Sequence, residues 1–124
     1  MKPITYFAIS FLVIFHSAVF SQSSGIDAAL SRGNAADLGV FFAEKVDVSI
    51  LGNDASLSSD ESVKHLSDFF SQNPVKGYKR AHLAPASNGR SAYSLGDLLT
   101  ASGSYRTYLY YDSKQRISEI RIEK

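Results

Sequence analysis

The residues best suited to chemistry in this 124-residue chain are Asp97, His82 and the tyrosines of its C-terminal half. An Asp beside a Tyr hydroxyl can shuttle a proton: the carboxylate takes it and the phenol steadies the oxyanion, so Asp97 with Tyr108 or Tyr93 is one candidate. The competing account is a cross-strand ion pair of Asp97 with Arg80 and a hydrogen bond to Tyr108, which the spacing favours. His82 and His65 could serve as base or ligand, but no second ligand stands at metal spacing from either, so no metal site is expected. Asp54, Asp60 and Glu61 lack the alternation and glycine of a calcium loop and suit a helix start instead. Arg106 and Arg121, with Tyr105 and Tyr108 nearby, could hold an anion or stack on a base; cation-π packing within a dimer is the simpler use. There is no Ser-His-Asp set, no phosphate-cradling glycine loop and no cysteine, which excludes thiolate chemistry, disulfides and Cys-ligated zinc or iron-sulfur centres. No cofactor is implied.

Lys2 opens the chain, an apolar run follows from Ile4 to Phe15, and small or polar residues close it at Ser17, Ala18, Ser21 and Gln22. This is the order of a secretory signal, with Val19 and Ser21 in the small-residue positions before a cut after Ser21. Thr5, Ser10 and His16 interrupt the run, short of the about 20 apolar residues that span a bilayer. The expectation is a signal peptide over 1–21 and a single domain over 22–124 in the periplasm or outside the cell, touching the membrane only through the signal before cleavage. Taking Lys2 away leaves 12 basic residues against 12 acidic ones, a neutral domain with no pull toward nucleic acid.

Elements must position the candidates. Ile26, Ala29 and Leu30 share a helical face that Gly33 stops, and Asn34 can cap a second helix on which Leu38, Phe41 and Phe42 continue the spacing. Val46, Val48 and Ile50 alternate with Asp47 and Ser49 as a half-buried strand ending at Gly52-Asn53-Asp54. Ser58 and Glu61 form a capping box before the stripe Val63, Leu66, Phe69 and Phe70, which Asn73-Pro74 ends. Four short strands follow: 78–84, 91–100, 105–111 and 116–123, joined at Asn88-Gly89, Ser102-Gly103 and Ser113-Lys114 as an antiparallel meander.

Two-residue loops at those joints pair Arg80 with Asp97, His82 with Leu95, Asp97 with Tyr108, Leu95 with Tyr110 and Tyr108 with Glu119. One face is then apolar or small, including Ala81, Leu83, Leu98, Leu109, Ile120 and Ile122, and holds no acid or His. It suits the helices, and with Phe41, Phe42, Phe70, Tyr105, Thr107 and Tyr111 it would line an apolar pocket. The other face mixes apolar bulk, including Tyr78, His82 and Ile117, with charge. Its residues Arg80, Tyr93, Asp97, Arg106, Tyr108, Tyr110, Glu119 and Arg121 suit a contact between two copies.

The run Ala28-Ala29-Leu30-Ser31-Arg32-Gly33-Asn34-Ala35-Ala36-Asp37-Leu38, followed by Phe41-Phe42-Ala43 and an alternating strand, resembles the opening of nuclear-transport-factor-2-like (cystatin-like cone) domains. Asn73 to Tyr78, Gly103 to Arg106 and Glu119 to Glu123 resemble an exported bacterial family of unknown function with that fold. The resemblance, over about 26–124, implies an α+β fold with helices on the concave face of a curved antiparallel sheet, in the order α-α-β-α-β-β-β-β. The superfamily also commonly dimerises through the outer sheet face. Its isomerases use an Asp base and a Tyr donor inside the cone, positions that no residue here matches. The expected function is therefore a small exported, non-catalytic binding or structural module, a homodimer whose cone takes an apolar ligand or a protein partner. The alternative is a small isomerase or dehydratase with Asp97 or His82 as general base, which needs the strands to slip by one residue.

Overall fold

Gly33 marks the first break in the chain. The computed structural model describes residues 17–124, so the first 16 residues of the expected export segment lie outside the described residues. Helix α1 (Ser17–Arg32) ends where Gly33 takes φ +63°, a left-handed geometry that side chains resist. Ile26, Ala29 and Leu30 of α1 are buried in the core. Asn34 then caps α2 (Ala35–Gly39), its side chain accepting from the Asp37 amide at 3.0 Å.

The helical spacing expected through Phe41 and Phe42 stops at Gly39, because the Phe41 carbonyl accepts from the Ile117 amide at 2.8 Å and draws the segment into the sheet. Phe42 opens β1 (Phe42–Ile50), and its ring is still buried in the core. Leu51 and Gly52, both at positive φ, turn the chain tightly into β2 (Asn53–Ser58), a strand where only a turn is expected from the sequence. Helix α3 (Ser59–Gln72) starts on the expected capping box: Ser58 Oγ accepts from the Glu61 amide at 3.1 Å, and Glu61 Oε1 from the Ser58 amide at 3.0 Å. Leu66, Phe69 and Phe70 are its buried stripe.

The rest is the meander β3 (Val75–Ala84), β4 (Tyr93–Thr100), β5 (Gly103–Tyr111) and β6 (Ile117–Glu123). The sheet order is β2-β1-β6-β5-β4-β3, with β1 lying parallel to β6 and every other pair antiparallel. Helix α1 packs on β3, and α3 on β1 and β2, so all three helices cover one side of a curved six-stranded sheet. The α+β cone is thus the fold, with β2 as one strand more than the sequence pattern announces.

Register decides which side chains reach the core. The β4–β5 loop is Ala101-Ser102 rather than Ser102-Gly103, so Leu95 faces Tyr108 and Asp97 faces Arg106. The β5–β6 pairing moves by the same amount, with Tyr110 opposite Glu119. A slip of two residues returns each side chain to the face it left, so Leu98, Tyr105, Thr107, Leu109, Ile120 and Ile122 are buried as expected. Single-residue irregularities do the opposite. In β3, Arg80 faces Gly96 while His82 faces Leu95, so Ala81 is an extra residue. That bulge turns Tyr78 and Arg80 to the helix-covered face, correcting their expected outward placement, and leaves Ala81 exposed. A second irregularity, between Tyr110 and Tyr111, carries Ile117 from the expected outer face into the core.

Candidate functional site

Polar groups gather on the covered face around one residue, Gly96. Helix α1 supplies Asp27, β3 supplies Tyr78 and Arg80, β4 supplies Ser94, and β5 supplies Thr107 and Tyr111. Arg80 Nε lies 3.5 Å from Asp27 Oδ2, with the two side chains 27% and 30% exposed, so the group reaches solvent between α1 and β3. The Tyr78 hydroxyl sits over Gly96, where any Cβ would collide with it and would meet the Lys79 carbonyl oxygen at 2.7 Å. Beside it, Ser94 Oγ and Tyr111 Oη share a hydrogen bond of 3.1 Å. Among the described residues four buried side-chain atoms have no hydrogen-bond partner: Tyr78 Oη, Arg80 Nη1 and Thr107 Oγ1 on this face, and Arg121 Nε on the outer one.

Burial sets the electrostatics. It raises the Asp27 carboxyl above its ordinary value, and the Arg80 guanidinium only partly offsets this. It also raises the Tyr78 hydroxyl, with Asp27 adding to the shift and Arg80 opposing it, and the Tyr111 hydroxyl, which the Ser94 hydrogen bond partly restores. Both phenols are therefore held neutral as hydrogen-bonding groups. The covered face of the meander carries no acid or His of its own, but the bulge adds Arg80 to it, and Asp27 meets Arg80 from the flank of the α1 stripe, three residues before Leu30.

Five of the six residues expected around an apolar pocket, Phe42, Phe70, Tyr105, Thr107 and Tyr111, are buried on the covered side, and Phe41 packs half-buried against them. Of the residues expected on the outer face, Tyr93, Asp97, Arg106, Tyr108, Tyr110, Glu119 and Arg121 lie there; Arg80 does not, because the bulge turned it. The expected Arg80–Asp97 pair is replaced by Arg106–Asp97 at 3.4 Å, beside Arg121–Glu119 at 3.6 Å. Asp97 and His82, the candidate bases, sit on this open side away from the polar cluster; His82 is exposed and its ring is 5.7 Å from that of Tyr93. The Tyr93 ring lies 5.9 Å from Tyr110, whose hydroxyl is raised first by burial and then by Glu119. His65 is exposed on α3. Glu119 and Arg121 also border an open cavity of about 400 Å³ with Asp47, Ser49, Asp54 and Ser56. Among the described residues no three His, Asp or Glu groups converge on a metal position.

The model of a family described as a domain of unknown function, DUF4783, matches residues 23–123. The chain belongs to that family. A DUF4783 protein from Bacteroides fragilis YCH46 is 29% identical, over 81% of this chain and 95% of its own, with a TM-score of 0.74. Another, from Bacteroides ovatus ATCC 8483, is 26% identical over 82% of this chain and 93% of its own, with a TM-score of 0.71. Beyond DUF4783, a cystatin-like protein from Silicibacter pomeroyi DSS-3 shares the fold at 7% identity, over 89% of this chain and 77% of its own, with a TM-score of 0.61. No curated protein matches this chain. The DUF4783 cone is nuclear-transport-factor-2-like, a fold that carries many unrelated functions, so function must be argued from the site.

Proposed function

We propose that this DUF4783 protein is an exported, non-catalytic module that works as a homodimer, joined through the outer sheet face, with the cone as its ligand side. The observation that carries the dimer is the belt His82, Tyr93 and Tyr110, whose successive rings lie 5.7 and 5.9 Å apart, flanked by the pairs Asp97–Arg106 and Glu119–Arg121. Those pairs balance charge within each copy and leave aromatic surface to be covered, the composition typical of the centre of a protein contact. Export is supported by the signal-like order of Lys2, the Ile4 to Phe15 run and Ser21.

Sedimentation equilibrium tests the dimer. The wild type should sediment as a dimer at micromolar concentration, and Tyr108→Glu, which puts a charge beside the Tyr110 ring, as a folded monomer. A wild type still monomeric at the highest attainable concentration refutes the contact. N-terminal sequencing of the protein from its host tests export, with Gln22 expected first; an intact Met1 refutes it.

A further inference from the structure

The outer face of the sheet is divided into two unlike halves. Cross-strand pairing sets His82, Leu95, Tyr108, Arg121, Ser49 and Asp54 in one row, and Tyr93, Tyr110, Glu119, Asp47 and Ser56 in the next. In both rows the rings and the leucine stand on β3, β4 and β5, while the open cavity of about 400 Å³ lies on β6, β1 and β2. That hollow is acidic. Glu119 pairs with Arg121 at 3.6 Å, but Asp47 and Asp54 have no ion pair among the described residues. On the opposite half, β3 carries no acid, and its Lys79 and His82 also lack an ion pair.

Two copies that meet through this face are related by a two-fold axis lying in the plane of contact. An axis across the strands would set each strand on its own counterpart, rings against rings and acidic hollow against acidic hollow. An axis along the strands, between β5 and β6, exchanges the halves: β5 lies over β6, β4 over β1 and β3 over β2. The geometry points to the second arrangement, in which the hollow on β6, β1 and β2 is the seat of the second copy's His82, Tyr93 and Tyr110 belt. Tyr93 then meets the second copy's Asp47, Tyr110 its Glu119, Tyr108 its Arg121 and His82 its Asp54. Raised rings fill a depression, phenol hydroxyls donate to carboxylates, and the Arg121 guanidinium lies against a ring. The other axis sets like charges together. Sheets packed face to face cross by about 30°, which displaces pairs at the sheet edges most, so the contacts of β4 and β5 carry the argument more than His82 with Asp54.

This inference rests on the proposed dimer and adds its geometry. The chain has no cysteine, so one can be introduced as a unique label. Leu95→Cys and Ser49→Cys lie three strand spacings, about 14 Å, apart within one copy but face each other across the contact. The two purified variants are mixed in equal amounts and treated with a short bis-maleimide. The mixture should cross-link to the dimer mass at least about tenfold faster than either variant alone. Tyr93→Phe and Asp47→Ala should each weaken dimerisation about tenfold in sedimentation, and the double variant little more than either, because both remove the same contact. A wild type that stays monomeric refutes the dimer and this geometry with it. If the wild type is a dimer but either cysteine variant cross-links to itself as fast as the mixture does, or the two substitutions act additively, this geometry is overturned and the dimer stands.

Discussion

Arg80 Nε stands 3.5 Å from Asp27 Oδ2 and ties the middle of β3 to helix α1 on the covered side of the sheet. Burial nonetheless holds the Asp27 carboxyl above its ordinary 3.8, so near that pH the folded protein keeps a proton that the unfolded chain has released. The contribution to stability is full below the unfolded value and is lost as pH rises through the raised folded value. Arg80→Met removes the charge that lowers this carboxyl, so it should steepen the loss of stability between about pH 4 and neutrality, and Asp27→Asn should flatten it. Urea midpoints across that range measure both slopes; identical slopes in all three proteins would contradict the desolvation of Asp27.

Gly96→Ala should destabilise the fold by about 2 kcal/mol, because the new methyl meets the Tyr78 hydroxyl and the Lys79 carbonyl oxygen. In a Tyr78→Leu background the cost should shrink but not vanish, since the backbone oxygen stays. A double-mutant cycle by chemical denaturation isolates the Tyr78 share; additive costs would place the strain elsewhere.

Tyr78→Phe should leave stability within about 1 kcal/mol of the wild type or raise it, because the hydroxyl it removes is buried and unpartnered. A loss well above that would mean the hydroxyl has a partner in the folded protein. Thermal unfolding at matched concentration decides between the two.

Parity explains how much of this was legible in the sequence. Pairings that differ by two residues from those expected across the loops at Ser102-Gly103 and Ser113-Lys114 still send Leu98, Thr107 and Ile120 to the core, because strand side chains repeat every second residue. The bulge at Ala81 breaks that parity, and nothing in Lys79-Arg80-Ala81-His82 marks it, so strict alternation puts Arg80 on the wrong face. The strand β2 was hidden because Asn53-Asp54-Ala55-Ser56 has little intrinsic strand preference and pairs as an edge on β1. Local signals fared better: Gly33, the Asn34 cap and the Ser58–Glu61 box depend only on near neighbours. The Gly96 cluster needs four elements to meet, and Asp27 alone on the flank of a helix stripe gives no sign of it.

The capping box offers a separate test. Hydrogen bonds from Ser58, the backbone amide first, hold the Glu61 carboxyl below its ordinary 4.5. Its contribution is present above that value and is lost as pH falls through the lowered folded value. Ser58→Ala should cost about 1 kcal/mol through the lost cap. Glu61→Gln keeps an acceptor but not the charge, so its difference from the wild type should disappear in acid. Denaturant midpoints at neutral and acid pH measure both effects.

On the outer face, the pair Asp97–Arg106 is 44% and 51% exposed in the single chain, a setting in which an ion pair contributes under about 1 kcal/mol. If a second copy covers the Tyr93 and Tyr110 rings nearby, the same pair loses its solvent, and breaking it strands a charge at the contact. Asp97→Asn should therefore cost little in dilute solution, where the chain is single. Its Tm deficit should grow as concentration rises and the wild type gains stability from association. Melting curves of both proteins over a hundredfold range of concentration test this. A deficit that stays constant over the range would place Asp97 outside any contact between copies.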